Sequence, residues 1–185
     1  MNREVVEGMA RRSGDRRFAM DLYRRFVEMY ANVVLGHERS ALRQAAEERR
    51  ISAGVPRVAD LPAAEMEAFV ADLLRIVEDG AGTPIPDDPY EQFENAIRAV
   101  FDSWNTRRAI DYRNHHGIPH DLGTAVNVVA MVFGNMAQDS FTGVLFTRNP
   151  ATGARELYGE YLSNAQGEDL VKLDPQRNVR VVQDV

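Results

Sequence analysis

The pattern of apolar and polar positions changes once along the chain, near residue 120. Up to residue 116, apolar residues recur every three or four positions, which is the spacing of one buried helix face. From residue 123 onward they form short runs rich in β-branched residues, separated by glycine, asparagine and proline. The sequence therefore predicts an α+β fold, with a helical subdomain over residues 1–122 and an antiparallel β-meander within residues 123–185.

Capping residues mark where the predicted helices begin. Asp15 precedes a helix over residues 16–35, and Asp60 and Asp88 each stand just before a proline-containing first turn. The charged residues 38–50 predict only a thin surface helix. On helix 16–35 we expect one buried stripe, made of Phe18, Leu22, Phe26, Met29, Tyr30 and Val33. The helix after Asp88 is expected to be the centre of the helical core, through Tyr90, Phe93, Ile97, Val100, Phe101 and Trp104.

The meander is predicted from strand-length apolar runs and the turns between them. Residues 125–133 (AVNVVAMVF) are nearly all apolar, which predicts a strand buried on both faces. Residues 141–147 and 156–162 predict two further strands, each with an interior glycine that is typical of a bulge or of close backbone approach. Residues 149–153 (NPATG) predict the turn between these two strands. Residues 178–182 predict a fourth strand whose pairing the pattern leaves open.

Composition narrows the class of protein. The net charge of −6 argues against a dedicated nucleic-acid binder, and the absence of cysteine excludes disulfides and thiolate metal sites. No apolar run approaches the roughly 20 residues needed to cross a bilayer. We therefore expect no membrane segment and a cytoplasmic protein. Lys172 is the one lysine among 22 basic residues, so a phosphate site that needs a lysine has a single candidate.

Motifs of the common catalytic sites are missing from the sequence. It contains no G-x-x-x-x-G-K-[ST] phosphate loop and no G-x-S-x-G nucleophile turn, and its four histidines lack the spacing of a metal site. We therefore assign no catalytic residue. Two stretches of the meander instead carry small and polar side chains that suit a ligand.

The first stretch places hydroxyl groups and a glycine beside apolar residues. Thr142, Gly143 and Thr147 belong to the second predicted strand, and Met131 and Phe133 belong to the first. Such a surface suits a flat heterocycle and its phosphates. An ordinary strand pair with a glycine bulge has the same pattern.

The second stretch is the polar loop of residues 164–169 (NAQGED), which follows the third strand. Its Gln166, Glu168 and Asp169 offer oxygen atoms of the kind that Mg²⁺ prefers. A solvated turn has the same composition, so the metal ligands stay unassigned.

Eight short segments, in order along the chain, resemble the pyruvate, phosphate dikinase family. They are FDSW at residues 101–104, RAI at 108–110, GTAVNV at 123–128, MVFGN at 131–135, TGV and FTRNPATG within 142–153, and YGEYL and NAQGED within 158–169. The resemblance covers roughly residues 5–171. It implies part of an ATP-grasp nucleotide-binding domain. The family uses ATP, phosphate and Mg²⁺ to phosphorylate a mobile histidine, which passes the group to pyruvate to form phosphoenolpyruvate.

The resemblance also implies roles for individual residues. Met131 and its strand would face the adenine. Thr142 and Gly143 would line the ATP cleft, and Glu168 would face the phosphates or the metal. The full set of expected ATP-binding residues is Met131, Phe133, Thr142, Gly143, Thr147, Gln166 and Glu168.

Departures from the family pattern set the expectation for activity. Val129 stands where the family carries a glutamine expected near the nucleotide, and an unpaired ligand group there costs about 1 kcal/mol. The family's glycine-rich phosphate loop, phosphohistidine domain and pyruvate-binding domain are not found in these 185 residues. In the full enzyme those two domains are the expected partners, and a homodimer stays open. We expect the chain alone to be an inactive part of a dikinase. The alternatives are a truncated non-catalytic protein or interaction module, or part of a phosphoenolpyruvate synthase.

Overall fold

The computed structural model of the protein describes residues 1–171 and 180–183, which divide into two compact units, Met1–Val128 and Val129–Val185. The first unit contains α1 (Arg3–Ser13), α2 (Arg16–Val33), α3 (Arg39–Ala53), a 3₁₀ turn (Val58–Asp60), α4 (Ala63–Ala81), α5 (Pro89–Ser103) and α6 (Arg107–His116). The second contains β1 (Phe141–Phe146), β2 (Tyr158–Ser163), α7 (Gly167–Val171) and β3 (Arg180–Gln183). This is the predicted α+β arrangement. None of the described helices is both long and apolar enough to cross a membrane.

Side-chain caps begin two of the helices where the sequence predicted. The Asp15 carboxylate accepts a hydrogen bond from the backbone N–H of Phe18 at 2.9 Å, at the start of α2. The Asp88 carboxylate accepts from the backbone N–H of Tyr90 at 3.0 Å, at the start of α5. Each carboxylate satisfies an N–H group that has no partner within the helix itself.

The predicted cap at Asp60 is wrong. Helix α4 begins at Ala63, and Asp60 ends the preceding 3₁₀ turn instead. There its carboxylate accepts a hydrogen bond from Nε of Arg57 at 2.9 Å. This hydrogen bond lowers the pKa of Asp60. The Asp60 carboxylate thus binds Arg57 instead of capping the start of α4.

Helices α2 and α4 supply the core of the helical unit. Helix α2 packs mainly against α4 and α1. Val27 and Ala31 of α2 are completely buried, with 0% of their surface exposed. The buried apolar residues of α4 are Met66, Phe69, Val70, Leu73 and Val77. Removal of these side chains from water is the main favourable contribution to the stability of the unit.

The predicted apolar stripe on α2 is only partly right. Three of its members are buried: Phe18, Leu22 and Tyr30. Met29 and Val33, by contrast, are 48% and 50% exposed. The smaller Val27 and Ala31, which lie toward the other side of the helix, belong to the buried core instead. Two of the six predicted members, Met29 and Val33, are therefore largely in water near the C-terminal end of the helix.

Helix α5 is not the centre of the helical core, which corrects the prediction. Phe93 is 44% exposed, and the buried residue of this helix is Gln92, at 4% exposure. The Gln92 amide donates to the carbonyl of Met1 at 3.1 Å, and Asn95 donates to the hydroxyl of Tyr30 at 3.2 Å. Polar side chains thus attach α5 to the unit, whereas Tyr90, Phe93 and Phe101 stay largely exposed.

Trp104, expected in the core, is half-buried at the junction between α5 and α6. The guanidinium of Arg113 lies over its ring, 4.0 Å from the centroid. The same guanidinium donates to the carbonyl of Trp104 at 2.6 Å, and the indole N–H donates to the carbonyl of His120 at 3.1 Å. The ring therefore connects α6 to the segment that follows it.

The three strands of the second unit form one antiparallel sheet in the order β1-β2-β3. Phe141 at the start of β1 pairs with Ser163 at the end of β2. The second and third predicted strands are confirmed. The fourth is confirmed at β3, which pairs with β2, whereas residues 178 and 179 of that prediction lie outside the described part of the chain.

Two glycines allow β1 and β2 to approach closely, as their positions inside the strands predicted. A Cβ atom at Gly143 would lie 2.7 Å from the carbonyl oxygen of Glu160. A Cβ atom at Gly159 would lie 2.3 Å from the carbonyl oxygen of Val144. A larger residue at either position would push the strand backbones apart.

The turn between β1 and β2 forms as the sequence NPATG predicted. The side-chain oxygen of Asn149 accepts from the backbone N–H of Ala151 at 2.9 Å. Gly153 adopts a φ of 75°, and its N–H donates to the carbonyl of Asn149 at 2.8 Å. Glycine adopts this left-handed conformation without the strain that a side chain would bring.

The first predicted strand, residues 125–133, is wrong. Val128, Val129, Met131 and Val132 are 67%, 81%, 65% and 90% exposed, although the pattern predicted a strand buried on both faces. A strand forms by hydrogen bonding to a neighbouring strand. Among the residues that the structure describes, no strand pairs with this segment. Most of its apolar side chains therefore stay exposed.

Candidate functional site

The strand register places the candidate residues on two different faces of the sheet. Successive residues of a strand point to opposite faces. Thr142 pairs with Leu162 and shares its face, which also carries Glu160. Gly143 pairs with Tyr161 and lies on the other face. The two residues predicted to line the ATP cleft together thus belong to opposite faces of β1.

The face that carries Thr142 is covered by α7. A buried apolar cluster forms from Leu162 of β2, Ala165 of the loop that follows β2, and Leu170 of α7. Gly167, the first residue of α7, lies so close to β1 that a Cβ atom there would be 4.0 Å from the hydroxyl oxygen of Thr142. The structure therefore brings Thr142 next to the NAQGED loop.

Backbone hydrogen bonds attach the start of this loop to residues 134–140, which we name the Gly134 turn. The N–H of Asn164 donates to the carbonyl of Ser140 at 2.7 Å, and the N–H of Ala165 donates to the carbonyl of Gly134 at 2.9 Å. Asn164 adopts a φ of 48°, a left-handed conformation that asparagine tolerates better than most residues. The chain thus reverses direction directly after β2.

The side chain of Gln166 completes the attachment. It is only 9% exposed, and its amide nitrogen donates to the side-chain oxygen of Asn135 at 3.2 Å. Its backbone N–H donates to the Asp169 carboxylate at 3.0 Å, and its carbonyl accepts from the N–H of Asp169 at 2.9 Å. The sequence did not single out Asn135 as a site residue. The signals were its position after Gly134, where the apolar run ends, and its place at the end of the MVFGN segment that resembles the family.

The predicted ATP-binding residues are therefore brought together only in part. Thr142 and Gln166 lie close to Gly167, and Glu168 is exposed in the first turn of the same helix. Met131 is 65% exposed in the segment that forms no strand. The other predicted members lie apart from this group. Phe133 is half-buried just before the Gly134 turn, and Thr147 is exposed just after β1. Gly143 lies on the opposite face of the sheet.

Two carboxylates stand near this part of the sheet. Glu168 is exposed on α7, and Glu160 is half-buried on the face that carries Thr142. Glu160 was missed at the sequence level because its face depends on the strand register. Within the described ranges, no three histidine or acidic side chains converge as a complete metal site. Lys172, the one candidate for a phosphate lysine, lies outside those ranges.

Comparison with known proteins decides the family. The sequence-family model described as "Pyruvate phosphate dikinase, AMP/ATP-binding domain" matches residues 26–184 of the chain. The chain belongs to this family. The match includes the whole of the Gly134 turn, β1, β2 and α7.

The sequence identities to individual dikinases agree with this family membership. The chain is 47% identical over 171 residues to a pyruvate, phosphate dikinase of Rhizobium meliloti (strain 1021), covering 92% of this chain and 19% of the relative. It is 48% identical to a chloroplastic pyruvate, phosphate dikinase of Mesembryanthemum crystallinum, and 49% identical to one of Flaveria pringlei, each again over 92% of this chain and 18% of the relative. The chain thus spans about a fifth of the length of these dikinases.

The hydrogen bond between Gln166 and Asn135 makes a first prediction for this member of the dikinase family. Replacing Gln166 with alanine removes the donor and leaves the Asn135 oxygen without it. We expect a loss of about 1 kcal/mol in the opening free energy of the loop, which is the usual net value of one hydrogen bond. Hydrogen exchange of the amides of residues 164–166 measures this. Gln138, exposed in the same turn, is the control, and an equal effect of Gln138→Ala would contradict the assignment.

Proposed function

We propose that this chain is a nucleotide-binding part of a pyruvate, phosphate dikinase and that it binds ATP. The observation that carries the proposal is the family match to an AMP/ATP-binding domain, which includes every candidate residue. The antiparallel β1-β2-β3 sheet is consistent with one part of an ATP-grasp domain. The relatives reported above are named dikinases, which favours a dikinase over a phosphoenolpyruvate synthase.

The positions of the side chains suggest which part of the nucleotide each residue would contact. We assign to the Thr142 hydroxyl, which lies beside Gly167, the donation of a hydrogen bond to a phosphate oxygen. Met131, exposed in an apolar segment, offers a surface for the adenine ring. The attachment of Gln166 to the Gly134 turn holds the loop in position, so binding would not need to order it.

Mg²⁺ fits the carboxylates of the proposed site. Protein sites usually hold Mg²⁺ with one or two carboxylates, and the phosphates of the nucleotide and water supply the remaining ligands. Glu160 and Glu168 are the residues that would hold it. When bound, the ion would neutralise charge on the phosphates.

Calorimetric titration of the chain with ATP, with and without Mg²⁺, tests the proposal. We expect saturable binding that is weaker without Mg²⁺, because the ion offsets repulsion between the phosphates and the two carboxylates. A titration with GTP under the same conditions is the control for the base. Absence of saturable ATP binding in both conditions would leave the family membership intact and would favour a non-catalytic protein.

Val129 makes a prediction about affinity. By resemblance to the family, a glutamine at this position would supply a hydrogen bond to the nucleotide. We expect Val129→Gln to tighten ATP binding about fivefold, which corresponds to about 1 kcal/mol. Val132→Gln is the matched control, since Val132 is also exposed in the same segment, at 90% against 81% for Val129. Equal affinities of the two variants would place the nucleotide elsewhere.

We propose the complete dikinase reaction for the longer enzyme and not for this chain alone. The chain spans about a fifth of its relatives, and phosphoryl transfer depends on many groups that position and neutralise the phosphates. Incubated with ATP, phosphate, pyruvate and Mg²⁺, the 185-residue chain is expected to form no phosphoenolpyruvate. The Rhizobium meliloti relative serves as the positive control. Formation of product by the chain at a rate proportional to its concentration would contradict this expectation.

A further inference from the structure

The side chains of Arg113 and His120 meet where the chain leaves α6. Nε of Arg113 donates a hydrogen bond to Nδ1 of His120 at 2.9 Å. Nε2 of His120 lies 3.0 Å from the side-chain oxygen of Asn114. The indole N–H of Trp104 donates to the carbonyl of His120 at 3.1 Å. We name these four residues the His120 cluster. Their contacts hold the chain at His120 against the ends of α5 and α6.

The hydrogen bond from Arg113 fixes the protonation state of His120. A guanidinium has donors and no acceptor, so Nδ1 of the imidazole is the acceptor and carries no proton. The proton of the neutral ring then lies on Nε2, which donates to the side-chain oxygen of Asn114. Both ring nitrogens therefore have matching partners only in the neutral form of His120.

Protonation of His120 would place a second positive charge against Arg113. The Arg113 side chain is 3% exposed, and the groups that surround its guanidinium are neutral. They are the carbonyl of Trp104 at 2.6 Å, the Trp104 ring and the imidazole. In the part of the chain that the structure describes, no carboxylate forms an ion pair with Arg113. A proton on Nδ1 thus removes the acceptor and leaves two cations in contact without an anion.

The other charged groups near the imidazole do not offset this conflict. Asp121, its neighbour in sequence, and Asp102, at the end of α5, are both exposed. Neither carboxylate is hydrogen-bonded to the imidazole within the described ranges. The rings of His115 and His116 on α6 lie against each other. Exposed charges act through water and are screened by salt, so contact with Arg113 is the dominant interaction.

We propose that the His120 cluster is a pH-dependent contact, which holds the chain at His120 in place while the ring is neutral and releases it when the ring is protonated. Histidine side chains generally titrate between about pH 5 and about pH 8. The contact is therefore complete at the upper end of this range and is lost toward the lower end. The end of α6 itself remains, because the N–H groups of Gly117 and Ile118 donate to the backbone carbonyl of Arg113. This device lies within the helical unit and does not depend on ATP binding.

Trp104 is the one tryptophan of the sequence and reports the state of the cluster. Its indole N–H is protected from hydrogen exchange while it donates to the carbonyl of His120. NMR measures the protection factor of this proton, which is corrected for the pH dependence of the intrinsic exchange rate. In the 185-residue chain we expect the protection factor to fall about tenfold or more between about pH 8 and about pH 5, because a hydrogen bond from a charged donor is lost.

Two substitutions of His120 separate the hydrogen bond from the titration. In His120→Asn the amide oxygen can accept from Arg113 but does not titrate, so the protection factor should stay high at both pH values. In His120→Ala the acceptor is missing, so the protection factor should be low at both. His116→Asn is the matched control, because it removes another exposed histidine of the same region and should leave the pH response unchanged. Far-UV circular dichroism checks that each variant is folded.

Three results would overturn the proposal. The first is a wild-type protection factor that is the same at both pH values. The second is an equal pH response of wild type and His120→Asn, since the response would then come from another group. The third is a pH response that His116→Asn abolishes. If His120→Ala does not fold, the comparison of wild type with His120→Asn still decides.

Discussion

Replacing Asp21 with alanine is expected to lower the free energy of unfolding of the helical unit by about 3–5 kcal/mol. Asp21 is 2% exposed on α2. Its carboxylate pairs with Nη2 of Arg24 at 2.7 Å and with Nε of Arg25 at 3.0 Å. Arg24 is itself 8% exposed, so the substitution leaves a buried guanidinium with Glu28, at 2.7 Å, as its remaining carboxylate partner. The cost comes from removing one of the two carboxylates that compensate this buried charge, together with the partner of Arg25.

The destabilisation caused by Asp21→Ala should depend on pH. Burial on its own raises the pKa of Asp21, but the charges and hydrogen bonds of Arg24 and Arg25 outweigh it and hold the pKa below its usual value. A carboxylate whose pKa is lowered by folding stabilises the protein above its unfolded pKa of about 3.9 and loses that contribution as the pH falls through the folded value. The difference between wild type and variant should therefore be full at neutral pH and should shrink in acid.

Urea unfolding at a series of pH values measures both effects. Asp111→Ala is the matched control, because Asp111 pairs with Arg107 at 2.9 Å in the same i,i+4 manner but both side chains are largely exposed. Exposed pairs of this kind contribute about 0.3–0.5 kcal/mol. If Asp21→Ala cost no more than Asp111→Ala at neutral pH, the ion pairs of Asp21 would not be important for stability.

Local signals in the sequence predicted local structure well. The caps at Asp15 and Asp88 and the turn after Asn149 each depend on a side chain and on backbone groups a few residues away, so the residue type alone indicates the conformation. The interior glycines of β1 and β2 were interpreted correctly for the same reason, since close backbone approach requires a residue without a side chain.

Predictions that depended on a distant partner were the ones that failed. Periodicity shows which residues of a helix share a side, but it does not show which side meets a neighbour. On α5 the neighbour is met by Gln92 and Asn95, so the aromatic side was wrongly assigned to the core. The run at residues 125–133 has the composition of a buried strand, yet composition supplies no sheet partner, and none is present in the described part of the chain.

The sequence identified which segments form the candidate site, but it did not indicate which face of the sheet each residue occupies. Thr142 and the NAQGED loop were both identified from their residue types, and the structure places them side by side. The strand register places Gly143 and Thr142 on opposite faces of β1, because neighbouring residues of a strand alternate between faces. Glu160 was missed for the related reason that its place beside Thr142 follows from the register with β1, which the sequence does not state.

The backbone packing around Gly134 makes the prediction with the largest effect on the proposed site. A Cβ atom at Gly134 would lie 2.5 Å from the carbonyl oxygen of Ala165 and 2.7 Å from that of Phe141. These are backbone atoms, and they belong to the loop that carries Gln166 and to the start of β1. A methyl group can therefore be accommodated only by moving the Gly134 turn away from the start of β1 and from the loop, which displaces the loop relative to the turn that holds it.

We expect Gly134→Ala to destabilise the second unit by about 3 kcal/mol. Because the displaced loop carries Gln166 and leads into α7, ATP binding should weaken about tenfold or more as well. Hydrogen exchange of β1 and β2 amides measures the first effect, and calorimetric titration measures the second. If the wild-type chain does not bind ATP, the proposed function is contradicted by the titration alone. The hydrogen-exchange measurement tests the packing around Gly134 whether or not ATP binds.

Gly167→Ala is the matched control for Gly134→Ala. Both glycines lie where the loop meets β1, and neither has a positive φ. At Gly167, however, the nearest atom to an added Cβ is the hydroxyl oxygen of Thr142 at 4.0 Å, an ordinary contact distance. The Gly167 variant should therefore keep the stability of the sheet within about 0.5 kcal/mol. If both variants had the same effect on amide exchange, the close backbone approach at Gly134 would not be what holds the loop against the sheet.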